Sequence, residues 1–173
     1  MSSFSPNVDA SYHWYAVYTK SRNEKKAFDR LIKDGFDAFL PLLARIKEWS
    51  DRKKKVEEPL FRSYMFVRVS NIEYYKILQD PAIVKYVSFE GKPAIVRDEQ
   101  INIIKKFLLT DYEIETTNET IEPGNSVIIT AGPMMGLQGE LVERAGKKRV
   151  VIRLEMIGQN VLVHVPSQMI KKA

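Results

Sequence analysis

The stretch EEPLFRSYMFV, residues 57–67, begins with two carboxylates, turns at a proline and ends as an apolar strand. Its continuation RSYMFVRV is apolar at most successive positions, so both faces should be covered and the strand should lie centrally in a sheet. Directly upstream, LARIKEWSDRKKKVEEP predicts a long β-hairpin with a basic tip. A buried core strand would explain the apolar part of this stretch, but it would not explain the basic hairpin beside it.

Helices and further strands surround this central strand. HWYAVYT and FDAFLP predict strands, and SRNEKKAFDRLIKDG predicts an amphipathic helix with Ser21 and Glu24 at capping-box spacing and Gly35 just past its end. SNIEYYKILQD, which opens with a second capping box, and DEQINIIKKFLL predict two more helices. Residues 13–109 are therefore predicted to form an α+β domain, an N-terminal antiparallel sheet flanked by helices.

The composition and residue pattern of the chain change after this domain. TDYEIETTNET is polar, acidic and threonine-rich, and predicts a linker over residues 110–121. In residues 122–173, the β-branched runs SVIIT, RVVIRLEM and NVLVHVP alternate with glycine-rich turns, a pattern typical of a small β-barrel. Residues 1–12 lack the basic and apolar regions of a secretory signal and are predicted to be a disordered leader.

Composition narrows the function. The 173 residues are 45% hydrophobic and 28% charged, as in soluble globular proteins, and the absence of cysteine excludes disulfides and thiol catalysis and suits the cytoplasm. No apolar run could cross a membrane. The two histidines, His13 and His164, have no carboxylate or serine at a catalytic or metal-binding spacing, and AGPMMGLQG joins two strands rather than opening a helix. We therefore expect no enzyme, metal or cofactor.

The net charge of +5 favours a polyanionic partner. Cations recur every three or four residues of the first predicted helix and so share one face, with Lys20 leading into it: Arg22, Lys26, Arg30 and Lys33. This face either contacts nucleic acid or is a solvated surface. The nearby Glu24 and Asp29 favour the solvated surface. The basic run in the hairpin leaves the same two alternatives open.

The order of WYAVYTK, a helix, EPLFRSYMFV, a linker and VIITAGPMMGLQGEL resembles the NusG family of bacterial transcription elongation factors over nearly the whole chain. The resemblance implies an N-terminal α+β domain followed by a KOW-type β-barrel that contains GPMMGLQGEL. The patterns WY…YTK, EPLF..Y.FV and PAIV are most similar to RfaH-like paralogues. Such paralogues are antiterminators of long operons, often those for surface polysaccharides.

The resemblance also implies two binding sites. An apolar cavity would hold the clamp helices of RNA polymerase through the aromatic side chains Phe61, Tyr64 and Phe66, with Trp14 in support. The alternative is that these rings fill the core. The non-template DNA strand would be bound by basic residues, namely Lys20, Arg22, Arg30 and Lys33. We expect the protein that carries both sites to be a monomer.

Two features distinguish this chain from RfaH-like factors. Tyr75, Lys76 and Ile77 stand where those factors have a polar His-Thr-Thr stretch that touches the polymerase gate loop, so that contact is changed or absent. RfaH itself can fold its C-terminal domain as a helical hairpin that masks the polymerase site. Here the β-branched C-terminal runs favour the barrel, so no such switch is expected.

Three functions remain open at this point. The first is a specialised antiterminator that raises processivity on a specific long operon. The second is a housekeeping elongation factor that recruits Rho. The third is a KOW-containing RNA-binding or ribosome-associated protein. In the first two cases the barrel would bind Rho or a small-subunit ribosomal protein.

Overall fold

A computed structural model describes residues 11–173, so the predicted leader lies outside it except for its last two residues. The chain forms two compact units. The first comprises the described residues up to Leu40 together with Phe61–Arg97, and the second comprises Pro41–Leu60 together with Asp98–Ala173. None of the helices in this range is both long and apolar enough to cross a membrane.

Residues 11–173 contain three α-helices, fifteen strands and two 3-10 helices, Glu155–Ile157 and Ser167–Met169. The helices are α1 (Glu24–Lys33), α2 (Tyr74–Ile77) and α3 (Asp98–Leu108). The strands, in chain order, are β1 (His13–Thr19), β2 (Asp37–Phe39), β3 (Leu42–Glu48), β4 (Lys53–Pro59), β5 (Tyr64–Val69), β6 (Ile83–Tyr86), β7 (Ser88–Phe89), β8 (Lys92–Pro93), β9 (Ile95–Val96), β10 (Ile114–Thr117), β11 (Asn125–Ile129), β12 (Gln138–Arg144), β13 (Lys147–Leu154), β14 (Gln159–Val163) and β15 (Ile170–Lys172).

The first unit is built on one antiparallel sheet. Its order is β2-β5-β1-β6, and β9 also pairs with β1. The central position predicted for RSYMFVRV is confirmed, because β5 lies between β2 and β1 and buries Met65, Phe66 and Val67 completely. The predicted antiparallel sheet with helices is confirmed in this unit.

Helix α1 ends as predicted but begins differently. Gly35 adopts a φ of +85°, its N–H donates to the Ile32 carbonyl, and the Phe36 N–H donates to the Leu31 carbonyl, which is a Schellman C-cap. The capping box predicted at its start does not form. The Glu24 carboxylate instead accepts the backbone N–H of Ser63 at 2.7 Å, so it is used in a tertiary contact rather than a local one.

The two other predicted helices are also present. The Glu73 carboxylate reaches back to the Ser70 N–H at 3.2 Å, the reciprocal half of the predicted capping box, but the α-helix that follows spans only Tyr74–Ile77. Helix α3 begins at Asp98, and its buried stripe is Ile101, Ile104 and Phe107.

The second unit carries a six-stranded antiparallel sheet. Its order is β10-β14-β13-β12-β11-β15, and Val150, Val161 and Val163 are completely buried. Strands were predicted for RVVIRLEM and NVLVHVP in place of a helical hairpin, and β13 and β14 confirm them. The described pairings run from β10 at one end to β15 at the other, so closure of this sheet into a barrel stays a prediction.

Strand β10 was not predicted, because the sequence analysis assigned these residues to a linker. It pairs with β14 from Ile114 opposite Val163 to Thr117 opposite Asn160. The buried Arg149 guanidinium strengthens the attachment, with Nη2 at 3.2 Å from a Glu113 carboxylate oxygen. Part of the predicted linker is thus an edge strand, while the predicted domain limits themselves stay a prediction.

The long basic hairpin is confirmed as β3 and β4. It belongs to the second unit, where its base is hydrogen-bonded to strand β10. Arg45 Nη2 donates to the Ile114 carbonyl at 3.2 Å, and the Thr116 hydroxyl donates to the Leu60 carbonyl at 3.1 Å. These bonds fix the base of the hairpin.

Candidate binding surfaces

One face of the first unit's sheet is rich in aromatic side chains. Alternate residues of a strand lie on the same face, and the register places Tyr18 opposite Tyr64 and Ala16 opposite Phe66, which in turn lies opposite Phe39. Trp14, at the other end of β1, shares this face. We call the set of Trp14, Tyr18, Phe39, Tyr64 and Phe66 the aromatic face.

Two of the four predicted polymerase-binding residues are buried. Phe66 and Phe61 are 0% and 1% exposed, and their rings meet edge to face with centroids 6.3 Å apart. Phe39 stacks on Phe66 at 6.0 Å. Trp14 and Tyr64 are only partly buried, so they are the predicted residues that reach the surface. Phe61 and Phe66 lie among the packed rings that support them.

Tyr64 forms a pair with Tyr18, a residue that the sequence analysis did not select. Their ring centroids are 4.6 Å apart, and the Lys85 ammonium lies 5.3 Å from the centroid of the Tyr18 ring, within cation–π range. The signal for Tyr18 was present, since it stands four residues after Trp14 in a strand and therefore on the same face. Lys85 could be found only from the pairing of β1 with β6.

This surface has the chemistry of a protein-binding site. Tyrosine and tryptophan side chains combine a large apolar ring with a polar edge and are enriched among the residues that dominate interface energetics. The rings of Tyr18 and Tyr64 are held by strand pairing and by contact with each other, so little side-chain freedom would be lost on binding.

The predicted DNA-binding cations are not all on one helical face. Helix α1 begins at Glu24, so Lys20 and Arg22 lie in the preceding turn, and Arg22 has a φ of +61°, outside the right-handed helical region. Both are exposed, as are Lys26 and Lys33 on the helix. The predicted face that joined Arg22 to the helical cations is therefore wrong in its geometry.

Arg30 is engaged within the first unit. Its Nε and Nη2 donate to the two carboxylate oxygens of Asp80, each at 2.7 Å. The Asp80 side chain is 6% exposed and also accepts the N–H of Ala82 at 2.8 Å, just before β6. The hydrogen bonds from Arg30 lower the pKa of Asp80 below its ordinary value. Two of the five guanidinium donors are thus used internally.

Metal chemistry has no candidate within residues 11–173, where no cluster of three or more histidine, aspartate or glutamate side chains is arranged to hold an ion. The second unit instead has an open pocket of about 360 Å³ that is partly apolar. Its lining includes Val127, Leu141 and Ile170, with Lys148 and Lys172 beside them.

Comparisons with known proteins agree on one family. Residues 12–105 match a family model described as "Transcription termination factor nusG". The chain is 21% identical over 171 residues to the transcription termination/antitermination protein NusG of Rickettsia felis, which covers 92% of this chain and 89% of that protein. It is 25% identical over 166 residues to the NusG protein of Streptococcus pyogenes serotype M1, with 88% and 91% covered.

A solved structure has a similar fold. The structure titled "Domain interaction in Thermotoga maritima NusG" superimposes with a TM-score of 0.59 at 22% identity, and the match covers 94% of this chain and 97% of that one. At this level of sequence identity, the similarity shows that the two chains share a fold.

Proposed function

Since this chain belongs to the NusG family of transcription termination and antitermination factors, we propose that it binds RNA polymerase through its aromatic face and the non-template DNA strand through its exposed cations. The observation that carries the proposal is the Tyr18–Tyr64 pair, which is partly exposed and rests on packed rings. The clamp helices of the polymerase are the proposed occupant of this surface. Trp14 and Tyr64 make the contact, and Phe61 and Phe66 hold the surface in shape.

The DNA contact is proposed for Lys20, Arg22 and Lys33. All three are exposed, and no acidic side chain in residues 11–173 forms an ion pair with any of them. Exposed lysine and arginine side chains that form no internal ion pair can bind phosphates without first breaking one. Arg30 contributes through the donors that Asp80 does not use.

A binding experiment with two targets tests both contacts. Full-length protein is titrated against RNA polymerase alone and against an elongation complex that exposes the non-template strand. Tyr64→Ala should weaken binding to both targets more than tenfold, because truncating an interface aromatic of this kind costs at least ~2 kcal/mol. Lys33→Glu should weaken binding to the elongation complex only, and should make it less dependent on salt.

Phe89→Ala provides the matched control for Tyr64→Ala. Phe89 is 72% exposed and belongs to the separate β7–β8 pair, so its removal should leave both affinities unchanged. Circular dichroism checks that each variant is folded. Normal polymerase binding by folded Tyr64→Ala protein would refute the aromatic contact, and an equal loss on both targets with Lys33→Glu would refute the DNA contact.

We further propose that this factor is specialised for a particular long operon and suppresses termination there. The RfaH-like patterns WY…YTK and EPLF..Y.FV support this role. The pocket lined by Val127, Leu141 and Ile170 supports a protein partner for the second unit, either Rho or a small-subunit ribosomal protein.

A further inference from the structure

The end of the β3–β4 hairpin exposes an unusual combination of side chains. Every residue from 44 to 55 is exposed. Trp49 is 59% exposed and stands within a segment that contains six basic and two acidic residues. An indole is costly to leave in water, and neither the sheet of the first unit nor that of the second includes β3 or β4. The aromatic and basic character of this tip is not used by the contacts proposed above.

The hairpin presents this tip in a fixed way. Trp49 and Arg52 exchange backbone hydrogen bonds of 2.8 and 3.3 Å around a two-residue turn. The strands pair without a break from Leu42 opposite Pro59 to Glu48 opposite Lys53. With its base bonded to strand β10, the hairpin is organised before any partner arrives, so binding would cost little conformational entropy.

The register sorts the tip into two faces. Lys47 lies opposite Lys54, and because side chains alternate, Trp49 and Arg52 lie on that same face. We call these four residues the Trp49 face. Lys55 lies on the other face, opposite Ile46. Like charges placed directly opposite each other destabilise a strand pair, and an internal carboxylate, that of Glu58, offsets this charge for Lys47 but not for Lys54.

Internal carboxylates neutralise only part of this charge. Lys47 forms an ion pair with Glu58, and Lys53 forms one with Glu48. No acidic side chain within residues 11–173 pairs with Arg52 or Lys54. These two cations flank Trp49 and remain available for an external anion.

We propose that the Trp49 face binds single-stranded nucleic acid, with a base stacked on the indole and the adjacent phosphates held by Arg52 and Lys54. Stacking on an aromatic ring together with cations along the backbone is how proteins hold single strands without reading their sequence. A duplex keeps the faces of its bases stacked inside and could offer the indole no such surface. This site uses different residues from the α1 cations and does not depend on polymerase binding.

Tryptophan fluorescence gives a direct readout. The chain has two tryptophans, so the Trp14→Phe variant reports on Trp49 alone. Titration of this full-length variant with oligothymidylate of about 15 nucleotides, close to the upper site size of single-strand modules, should quench its emission to saturation. A duplex of equal length should leave the emission unchanged. Oligouridylate of the same length shows whether the site prefers DNA or RNA.

Three substitutions then test the contacts by anisotropy with the labelled single strand. Trp49→Ala should weaken binding roughly fivefold to a hundredfold, the range expected for the loss of one stacked base. Lys54→Glu and Lys55→Glu make the same charge change at neighbouring positions on opposite faces. Lys54→Glu should therefore weaken binding severalfold more than Lys55→Glu.

Each of these measurements could contradict the proposal. Absence of quenching, equal affinity for duplex and single strand, or an unchanged affinity of Trp49→Ala would each exclude stacking. Equal losses for Lys54→Glu and Lys55→Glu would reduce the site to diffuse attraction and reject the Trp49 face. All of these residues are exposed, and circular dichroism of each variant confirms that the comparison is between folded proteins.

Discussion

At the scale of single residues, Arg30 shows why a basic side chain cannot be assigned to DNA from its spacing alone. The sequence places it among surface cations, whereas its guanidinium holds the nearly buried Asp80. That pair joins helix α1 to the turn before β6, fifty positions further along the chain. Replacing Arg30 to test DNA binding would also remove a structural contact, and for that reason Lys33 is the better probe.

Asp80→Asn should destabilise the protein by about 1 kcal/mol at neutral pH, the value of a charged hydrogen bond to a partner that is itself partly exposed. Because Arg30 lowers the pKa of Asp80 in the folded state, the stabilisation is present above the unfolded pKa of about 4. It is lost as the pH falls through the lowered folded value. Urea unfolding of both proteins at several pH values should show curves that converge in acid.

Asp29→Asn is the matched control for that experiment. Asp29 is an exposed aspartate in α1, next to Arg30, so its replacement should change the stability at neutral pH by no more than about 0.5 kcal/mol. A difference between Asp80→Asn and the parent that persists unchanged at pH 2 would show that the carboxylate charge is not the source of the stabilisation.

The sequence identified candidate aromatic residues, but it did not show which of them are buried and which reach the surface. Their identity follows from the sequence, but burial separates Phe61 and Phe66 from Tyr64, and burial depends on packing between distant segments. Strand periodicity alone could have added Tyr18. Nothing local could have placed Lys85 beside it, because the contact needs the register of β1 against β6.

At the scale of elements, prediction succeeded where local signals agreed with the packing. Strand β5 and the glycine-capped end of α1 are examples, since a run of apolar residues and a residue with positive φ leave few alternatives. Strand β10 was missed because Ile114–Thr117 offers only one buried side chain. It is held by backbone pairing and by Arg149 from a distant strand, neither of which leaves a periodic pattern in the sequence.

Gly139 allows β12 to pack closely against β13. A Cβ at this position would lie 2.7 Å from the Val151 carbonyl oxygen and 2.6 Å from Val150 Cγ1. Gly139→Ala should therefore destabilise the protein by about 1–3 kcal/mol, because an extra methyl group in a packed site forces its neighbours to move. Urea unfolding followed by circular dichroism measures the loss.

The neighbouring residue supplies the comparison for this substitution. Gln138 lies in the same strand and is exposed, so Gln138→Ala should change the stability by no more than about 0.5 kcal/mol. If Gly139→Ala proves as stable as the parent, the close approach of β12 and β13 is not a constraint on this sheet.

At the scale of the whole molecule, the division of the chain into two consecutive domains stays a prediction from the sequence. A change in composition near residue 110 suggested two consecutive domains, yet the second unit also includes Pro41–Leu60. Within that unit the hairpin is hydrogen-bonded to β10, which lies far from it in sequence. Composition and periodicity are local properties, so they carry no record of such contacts.

The role of the intact protein is tested by transcription through a Rho-dependent terminator in vitro. A specialised antiterminator should raise the yield of full-length transcript, with and without Rho, on a template that carries its operon's leader. The measured quantity is the fraction of transcripts that pass the terminator. Increased termination in the presence of Rho would instead assign the chain the housekeeping role.

The bond from Thr116 to the Leu60 carbonyl has a consequence for how the chain leaves the ribosome. Its donor is synthesised more than fifty residues after its acceptor, a delay of roughly 3–11 s at ordinary translation rates. During that interval this bond to β10 is absent, and both strand edges of the hairpin are unpaired, as they also are in the folded two-stranded sheet of β3 and β4. Its lysines suit this period, since charged edges resist pairing with strands of other emerging chains. The same charges that await a nucleic acid in the finished protein would thus protect the hairpin during its synthesis.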